Sequence, residues 1–154
     1  MVRSCFPPRG RPAGARPHAP TTVRTDTPRY VSPQAAVSTV LVVEDDPAVR
    51  EFYATALRLA GYRVAAVEDG LDALRWIDQQ RPAVIVLDLN LIRVSGRDVQ
   101  RELRAHADTR HIPIVVVTGE DTSDLNAAEL ACVLRKPVTG YALVEAVMNC
   151  LRRI

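Results

Sequence analysis

Acidic side chains, a hydroxyl and the only lysine of the chain each follow a short apolar run. Carboxylates that are forced together repel one another, and a cation between them offsets that cost. Carboxylate oxygens with open positions suit Mg²⁺, and a carboxylate is also a nucleophile toward phosphorus. A hydroxyl and an ammonium group supply hydrogen bonds and positive charge to phosphoryl oxygens. The set fits metal-assisted acceptance of a phosphoryl group, and it consists of Glu44, Asp45, Asp46, Asp88, Thr118 and Lys136.

The apolar runs themselves predict five β-strands. They are rich in valine and show no polar alternation, which is typical of parallel strands buried on both faces. The runs are Thr39 to Val43, Arg63 to Val67, Ala83 to Leu87, Ile114 to Val117 and Cys132 to Leu134. Because segments of helical period separate them, the pattern indicates an α/β fold.

The segment from Pro47 to Ala60 carries the strongest helix signals. Asp46 is suited to the N-cap, proline to the first helical position and Gly61 to the position after the end. We expect its buried face to hold Val49, Phe52, Ala56 and Leu57. Apolar residues at helical spacing mark the second, third and last of five helices, and a short fourth helix is predicted near Asp124 to Leu130. The three sets are Leu71, Leu74 and Ile77; Val99 and Leu103; and Leu143, Val144, Val147, Met148 and Leu151.

Short strands that alternate with helices form a parallel sheet with right-handed crossovers and helices on both faces. Such sheets bind their ligands at the carboxyl ends of the strands. A single charged residue at a strand end is usually a solvated boundary. Acids, a hydroxyl and a lysine that converge on one edge therefore indicate a functional site.

Four segments, in order along the chain, resemble the receiver domains of two-component response regulators. They are VLVVEDDPAVR at 40–50, VIVLDLN at 84–90, VVVTGE at 115–120 and LRKPV at 134–138. The resemblance runs from Thr39 to about Arg152. Over that range the chain is similar to the stand-alone, chemotaxis-type member of that family. It implies a flavodoxin-like doubly wound fold, (βα)5, whose five parallel strands lie in the order 2-1-3-4-5.

The resemblance also implies a role for each residue of the site. Asp88 would accept a phosphoryl group from a sensor histidine kinase or a phosphotransfer protein, and an unknown downstream protein would respond. Mg²⁺ would be held by Glu44, Asp45, Asp88 and the backbone carbonyl of Asn90. Thr118 would be the switch hydroxyl and Lys136 would pair with the phosphoryl group, while Asn90 and Glu120 would tune dephosphorylation toward a short-lived state. Asp46 is left as a helix N-cap.

The chain departs from the family pattern at several positions. Val133 stands where the family has a switch aromatic in the last strand. Thr118 and Lys136 are closer in sequence than usual, by about one helical turn, which indicates a shortened fourth helix. Ile92 and Ser95 replace the usual proline and acid in the loop after Asp88. The phosphorylation chemistry is therefore better supported than the manner of signalling.

Three functions stay open. The first is a phosphoacceptor that modifies itself and is not an enzyme. The second is a pseudo-receiver that binds a partner without phosphorylation, favoured by Val133 and the short helix but opposed by the intact acids, Thr118 and Lys136. The third is a flavodoxin-like domain that binds a small ligand, which no glycine-rich phosphate loop supports. Oligomeric state is open, including a homodimer through the final helix and strand.

Composition divides the 154 residues into a tail, 1–37, and a receiver domain, 38–154. The tail holds six arginines against one acid, Asp26, and seven of the eleven prolines. Without hydrophobic periodicity it is predicted to be disordered, although a start codon assigned too far upstream would also explain it.

No apolar run is long enough for a membrane span or a signal peptide, so we expect a cytoplasmic protein with no membrane insertion. No nucleic-acid-reading motif is present, and three scattered cysteines build neither a disulfide framework nor a metal site.

Overall fold

The computed structural model describes residues 38–123 and 130–153 of the chain. Its strands are β1 (Thr39–Val43), β2 (Arg63–Val67), β3 (Val84–Leu87), β4 (Ile114–Thr118) and β5 (Cys132–Arg135). Its helices are α1 (Pro47–Leu59), α2 (Gly70–Gln79), α3 (Gly96–Ala105) and α4 (Gly140–Leu151). The predicted tail lies outside the described residues, as does the predicted helix near Asp124 to Leu130 apart from Leu130 itself.

All five strands pair in parallel in the order β2-β1-β3-β4-β5, which confirms the predicted topology. In the register of the sheet, Val43 lies opposite Val67 on one side and Leu87 on the other. The carboxyl ends of β1, β2 and β3 therefore lie at one edge of the sheet. The residues that follow β1 and β3 are Glu44 and Asp88, so this register decides where their carboxylates meet.

Burial separates the central strands from the edge strands. Strands β3 and β4 are buried along their whole length, and β1 is buried after its first residue. Strand β2 is only partly buried, and β5 alternates between half-buried and exposed residues. The prediction that all five strands are buried on both faces is therefore wrong for these two, because an edge strand has a neighbour on one side only.

Two hydrophobic layers cover the sheet. Alternate side chains of β1 point to opposite faces, so Leu41 and Val43 pack with α2 and α3, while Val40 and Val42 pack with α1 and α4. Ile77 and Leu103 fill the first layer, and Leu57, Leu143 and Val147 fill the second. None of the helices among the described residues is long and apolar enough to cross a membrane.

Helix α1 begins at the predicted residue and ends at Leu59, one residue before the predicted end, but it buries a different face. The Asp46 side chain accepts hydrogen bonds from the backbone N–H groups of Ala48 and Val49, and Gly61 follows the helix with φ +93°. Phe52 was expected in the core and is 50% exposed, whereas its neighbour Tyr53 is 3% exposed. The buried positions are Tyr53, Ala54 and Leu57. Residues 53 and 57 are four apart and share a face, which rotates Phe52 outward.

Candidate functional site

Backbone hydrogen bonds of the sheet fix the two buried carboxylates of the site. The N–H of Asp88 donates to the carbonyl of Val43 at 3.0 Å, and the N–H of Glu44 donates to the carbonyl of Val67 at 3.2 Å. Both bonds continue the parallel ladder one step past the strand ends. Glu44 is 1% exposed and Asp88 is 4% exposed, so their side chains turn into the protein and not into solvent.

Lys136 joins these two carboxylates. Its Nζ donates to Glu44 Oε2 at 2.8 Å and to Asp88 Oδ2 at 2.7 Å. These lengths are those of charge-assisted hydrogen bonds, which are stronger than bonds between neutral groups. Lys136 follows β5, and its backbone N–H donates to the carbonyl of Thr118 at 3.0 Å. The peptide bond from Lys136 to Pro137 is cis.

Burial and neighbouring charge shift the pKa values of the site. Burial raises the pKa of Glu44, and the negative charge of Asp88 raises it further, while Lys136 pulls it down. Burial alone would lower the pKa of Lys136, but its hydrogen bonds and charge interactions with Asp88 and Glu44 outweigh this and raise it. The lysine therefore stays protonated and acts as the fixed cation of the site.

The acids that would hold a metal ion also lie together. Glu44, Asp45 and Asp88 each offer a carboxylate oxygen, and these oxygens all lie within 4.8 Å of one another. Glu44 Oε1 is buried and has no hydrogen-bond partner among the residues that the structure describes. An unpaired buried carboxylate oxygen is costly unless a ligand satisfies it. The donor set and this orphan oxygen fit Mg²⁺, which takes oxygen ligands and keeps open positions for a phosphate.

The loop between β3 and α3 shapes the surroundings of Asp88. The backbone N–H of Asn90 donates to Asp88 Oδ1 at 3.1 Å, so both oxygens of this carboxylate are held. Gly96 lies against the backbone carbonyl of Asp88 so closely that a Cβ would overlap it. Ser95 caps α3 by accepting a hydrogen bond from the N–H of Asp98 at 3.1 Å.

Thr118 and Glu120 lie at the end of β4. Thr118 is 0% exposed, and its Oγ1 accepts a hydrogen bond from the N–H of Glu120 at 3.1 Å. The Glu120 carboxylate pairs with Arg97 at 3.5 Å. Within the described part of the chain, neither residue forms a hydrogen bond with the carboxylate of Asp88. The structure thus brings Glu44, Asp45, Asp88 and Lys136 into one cluster, with Thr118 attached through the backbone.

Comparison with known proteins identifies the family. The family model described as "Response regulator receiver domain" matches residues 40–148. The chain belongs to the response regulator receiver domain family. The response regulator MprA of Mycobacterium sp. (strain KMS) is 37% identical to it over 118 residues, which cover 74% of this chain and 50% of that protein. This receiver domain therefore spans about half the length of the curated relatives it matches.

Solved structures show the same fold. The chemotaxis response regulator CheY4 of Vibrio cholerae is 28% identical, with a TM-score of 0.67 over 75% of this chain and 99% of the other. The receiver domain of the sensor histidine kinase PA1611 from Pseudomonas aeruginosa PAO1 is 29% identical, with a TM-score of 0.68 over 75% and 98%. That structure has a magnesium ion coordinated in its active-site cleft. The resemblance drawn from the sequence motifs is confirmed at the level of family and fold.

One residue that sequence reasoning missed is Arg50 in α1 of the receiver domain. Its guanidinium donates to the backbone carbonyl of Glu44 at 2.7 Å and to that of Asp45 at 3.0 Å. Side chains of a helix tilt toward its N-terminus, so an arginine in the first turns can reach the preceding loop. This spacing, six residues after Glu44, was the available signal. Arg50 fixes the backbone from which both acidic side chains project.

Proposed function

We propose that this receiver domain accepts a phosphoryl group on Asp88 in a reaction that requires Mg²⁺. The single observation that carries the proposal is the Lys136 ammonium shared by Glu44 and Asp88, beside a Glu44 oxygen that has no partner among the described residues. Most buried polar atoms in folded proteins have at least one hydrogen-bond partner, so an exception calls for an explanation. A cluster that keeps one oxygen unpaired at a ligand-binding edge is suited to a divalent cation and an anionic substrate.

The donor we propose is a phosphohistidine on a sensor histidine kinase or a phosphotransfer protein. An Asp88 carboxylate oxygen attacks phosphorus, the new O–P bond forms, and the P–N bond to the imidazole breaks. The imidazole nitrogen keeps the electron pair of that bond. The hydrogen bonds from Lys136 and from the N–H of Asn90 orient the carboxylate before the attack. Such positioning is most of what catalysis of phosphoryl transfer requires.

Glu44 and Asp45 would hold Mg²⁺ together with Asp88 and the backbone carbonyl of Asn90. When bound, the ion neutralises charge on the phosphoryl oxygens. Lys136 stays protonated, because the acids raise its pKa, and it supplies a second positive charge to the phosphoryl group. The buried Thr118 hydroxyl is the donor that would turn from its backbone contact with Glu120 toward a phosphoryl oxygen.

Two exposed residues would set the rate at which the phosphoryl group is hydrolysed. Asn90 and Glu120 follow Asp88 and Thr118 by two positions and lie outside the buried cluster. From there they would control access of water to the aspartyl phosphate, which we expect to be short-lived. The domain modifies only itself and passes the signal to a downstream protein, so we do not class it as an enzyme.

Intact-mass analysis tests the proposal. The full chain is incubated with acetyl phosphate and Mg²⁺, beside a magnesium-free sample and the Asp88→Asn variant, which keeps the side-chain volume. We expect one phosphoryl group on the unmutated protein with Mg²⁺ and none in the other two samples. If the folded protein gains no phosphoryl group, the phosphoacceptor proposal fails and a pseudo-receiver that binds its partner constitutively takes its place.

A further inference from the structure

A second group of acidic residues lies at the junction of β2 and α2, and all three of its carboxylates lie near the same arginine. The group consists of Glu68, Asp69 and Asp72, and Asp69 is 2% exposed. Arg93 Nη2 contacts Asp69 Oδ2 directly and lies 3.8 Å from Glu68 Oε1 and 3.7 Å from Asp72 Oδ2. Residues 69 and 93 are 24 positions apart, so this contact joins two segments that are distant in sequence.

Each oxygen of Asp69 already has a partner. Oδ1 caps helix α2 by accepting a hydrogen bond from the N–H of Asp72 at 2.8 Å, and Oδ2 is held by Arg93. A buried carboxylate without a cation would be costly, and Arg93 supplies that cation from within the chain. The acids are therefore arranged to hold an arginine.

Arg93 belongs to the loop that carries the phosphoacceptor. This loop runs from Asp88 to Gly96 and contains no proline, so no proline ring restricts its backbone. Helix α2 packs on the same loop, since a Cβ on Gly70 would lie 2.6 Å from the carbonyl oxygen of Val94. The ion pair and this close packing attach the middle of the loop to the N-terminus of α2.

The attachment lies beside the proposed metal ligands. Asp45, Asp69, Ile92 and Arg93 line one open cavity of about 400 Å³, together with Glu68. Arg93 lies in the same loop as Asn90, three residues further along the chain, and the Asn90 N–H donates to Asp88 Oδ1. Small displacements of ligands and catalytic groups lower rates and affinities strongly.

We propose that Arg93 is a positioning residue that holds the phosphoacceptor loop against α2 through Asp69 and thereby sets the affinity of the site for Mg²⁺. The inference rests on the phosphoacceptor function proposed above. Arg93 is not among the residues proposed to hold the metal ion or the phosphoryl group. It acts through the backbone of the loop, so its loss loosens residues 88–96 even when no metal is bound.

The test uses two variants that break the same contact from opposite sides. Arg93→Met keeps the alkyl chain and removes the charge. Asp69→Asn removes the charge and keeps a side-chain oxygen for the N-cap, since asparagine caps helices as well as aspartate does. The matched control is Arg75→Met, which removes an exposed pair between Arg75 and Asp72 on the same helix and leaves the loop untouched.

Two measurements report on the loop. Hydrogen exchange of the metal-free full chain, resolved to peptides covering 88–96, measures its opening, and calorimetric titration with MgCl₂ measures the Mg²⁺ affinity. We expect faster exchange and about fivefold weaker Mg²⁺ binding in both variants, a modest effect because the pair joins a buried carboxylate to an exposed arginine. The double variant should lose no more than either single variant, because both remove one contact.

Arg93→Lys keeps the charge and should recover most of the Mg²⁺ affinity. Unchanged exchange and affinity in Arg93→Met, in a preparation whose unmutated protein binds Mg²⁺ and is phosphorylated, would overturn the inference and leave the proposed function intact. An equal effect of Arg75→Met would also overturn it, since the loss would then be one of general surface charge. Failure of the unmutated protein to bind Mg²⁺ would instead count against the proposed function.

Discussion

Replacing Lys136 by methionine removes the cation on which two buried carboxylates depend. Methionine keeps most of the length and volume of the side chain, so the change isolates the charge and its hydrogen bonds. Glu44 Oε2 and Asp88 Oδ2 lose donors at 2.8 Å and 2.7 Å. Near neutral pH the variant then buries two like charges with no lysine between them.

The size of the effect follows from these contacts. Breaking a buried charge pair costs about 3–5 kcal/mol, and hydrogen bonds to charged groups contribute about 1.5–3 kcal/mol each. The Lys136 side chain is 28% exposed, so in the variant water can hydrate the two carboxylates and offset part of the lost stability. We expect the free energy of unfolding to fall by about 2–4 kcal/mol in metal-free buffer, which lowers Tm by about 10 °C for a domain of this size.

Urea denaturation followed by circular dichroism measures this difference, with and without Mg²⁺ and at several pH values. Mg²⁺ binds only the folded state and replaces the missing cation, so it should stabilise the variant more than the unmutated protein. Burial raises the pKa of Glu44 in the folded state. Lys136 lowers this pKa, so its removal raises the pKa of Glu44 further, and the variant should gain more stability than the unmutated protein as pH falls from neutral. The deficit should therefore shrink as pH falls.

The outcome that refutes this reasoning is a Lys136→Met variant as stable as the unmutated protein in metal-free buffer near neutral pH. A deficit that stays constant with both pH and Mg²⁺ would refute it equally, since lost packing alone would explain it. The double variant with Asp88→Asn gives a further check. It should recover part of the lost stability, because one of the two like charges is gone.

Three further predictions concern Gly61, Arg50 and the lifetime of the aspartyl phosphate. Gly61→Ala should lower the free energy of unfolding by about 1 kcal/mol, because alanine disfavours φ +93° even in open space, whereas Gly119→Ala, also in open space, should not. Arg50→Met should weaken Mg²⁺ binding severalfold in calorimetric titration, because the carbonyls of the acidic pair lose their donor. The aspartyl phosphate should be short-lived in purified protein, and a half-life of many hours by intact mass would contradict the tuning role assigned to Asn90 and Glu120.

Much of the fold could be predicted because its signals are local. Strand β1 is a continuous apolar run, and proline after Asp46 and glycine at 61 bracket α1 at the ends where the structure has them. The convergence of Glu44 and Asp88 also followed, since parallel strands place their carboxyl ends at one edge. The strand and helix signals needed only residues close together in sequence, and the convergence needed only the general geometry of parallel sheets.

The contacts that sequence reasoning missed depend on distant parts of the chain. Helical periodicity alone could not decide whether Phe52 or Tyr53 faces the sheet, because the two lie on adjoining faces and the sheet selects one. The ion pair between Arg93 and Asp69 joins different loops, and no local pattern indicates it. Ser95 appeared as a departure from the family, and only the structure shows it as a helix cap.

The central claim is that Asp88 itself carries the phosphoryl group. After reaction with acetyl phosphate and Mg²⁺, borohydride reduction converts an aspartyl phosphate to homoserine, and peptide mass spectrometry then locates the reduced residue. We expect homoserine at position 88 in the unmutated chain, with none in Asp88→Asn. Homoserine at position 45 or 46, or a phosphoryl group retained by the Asp88→Asn variant, would contradict the account.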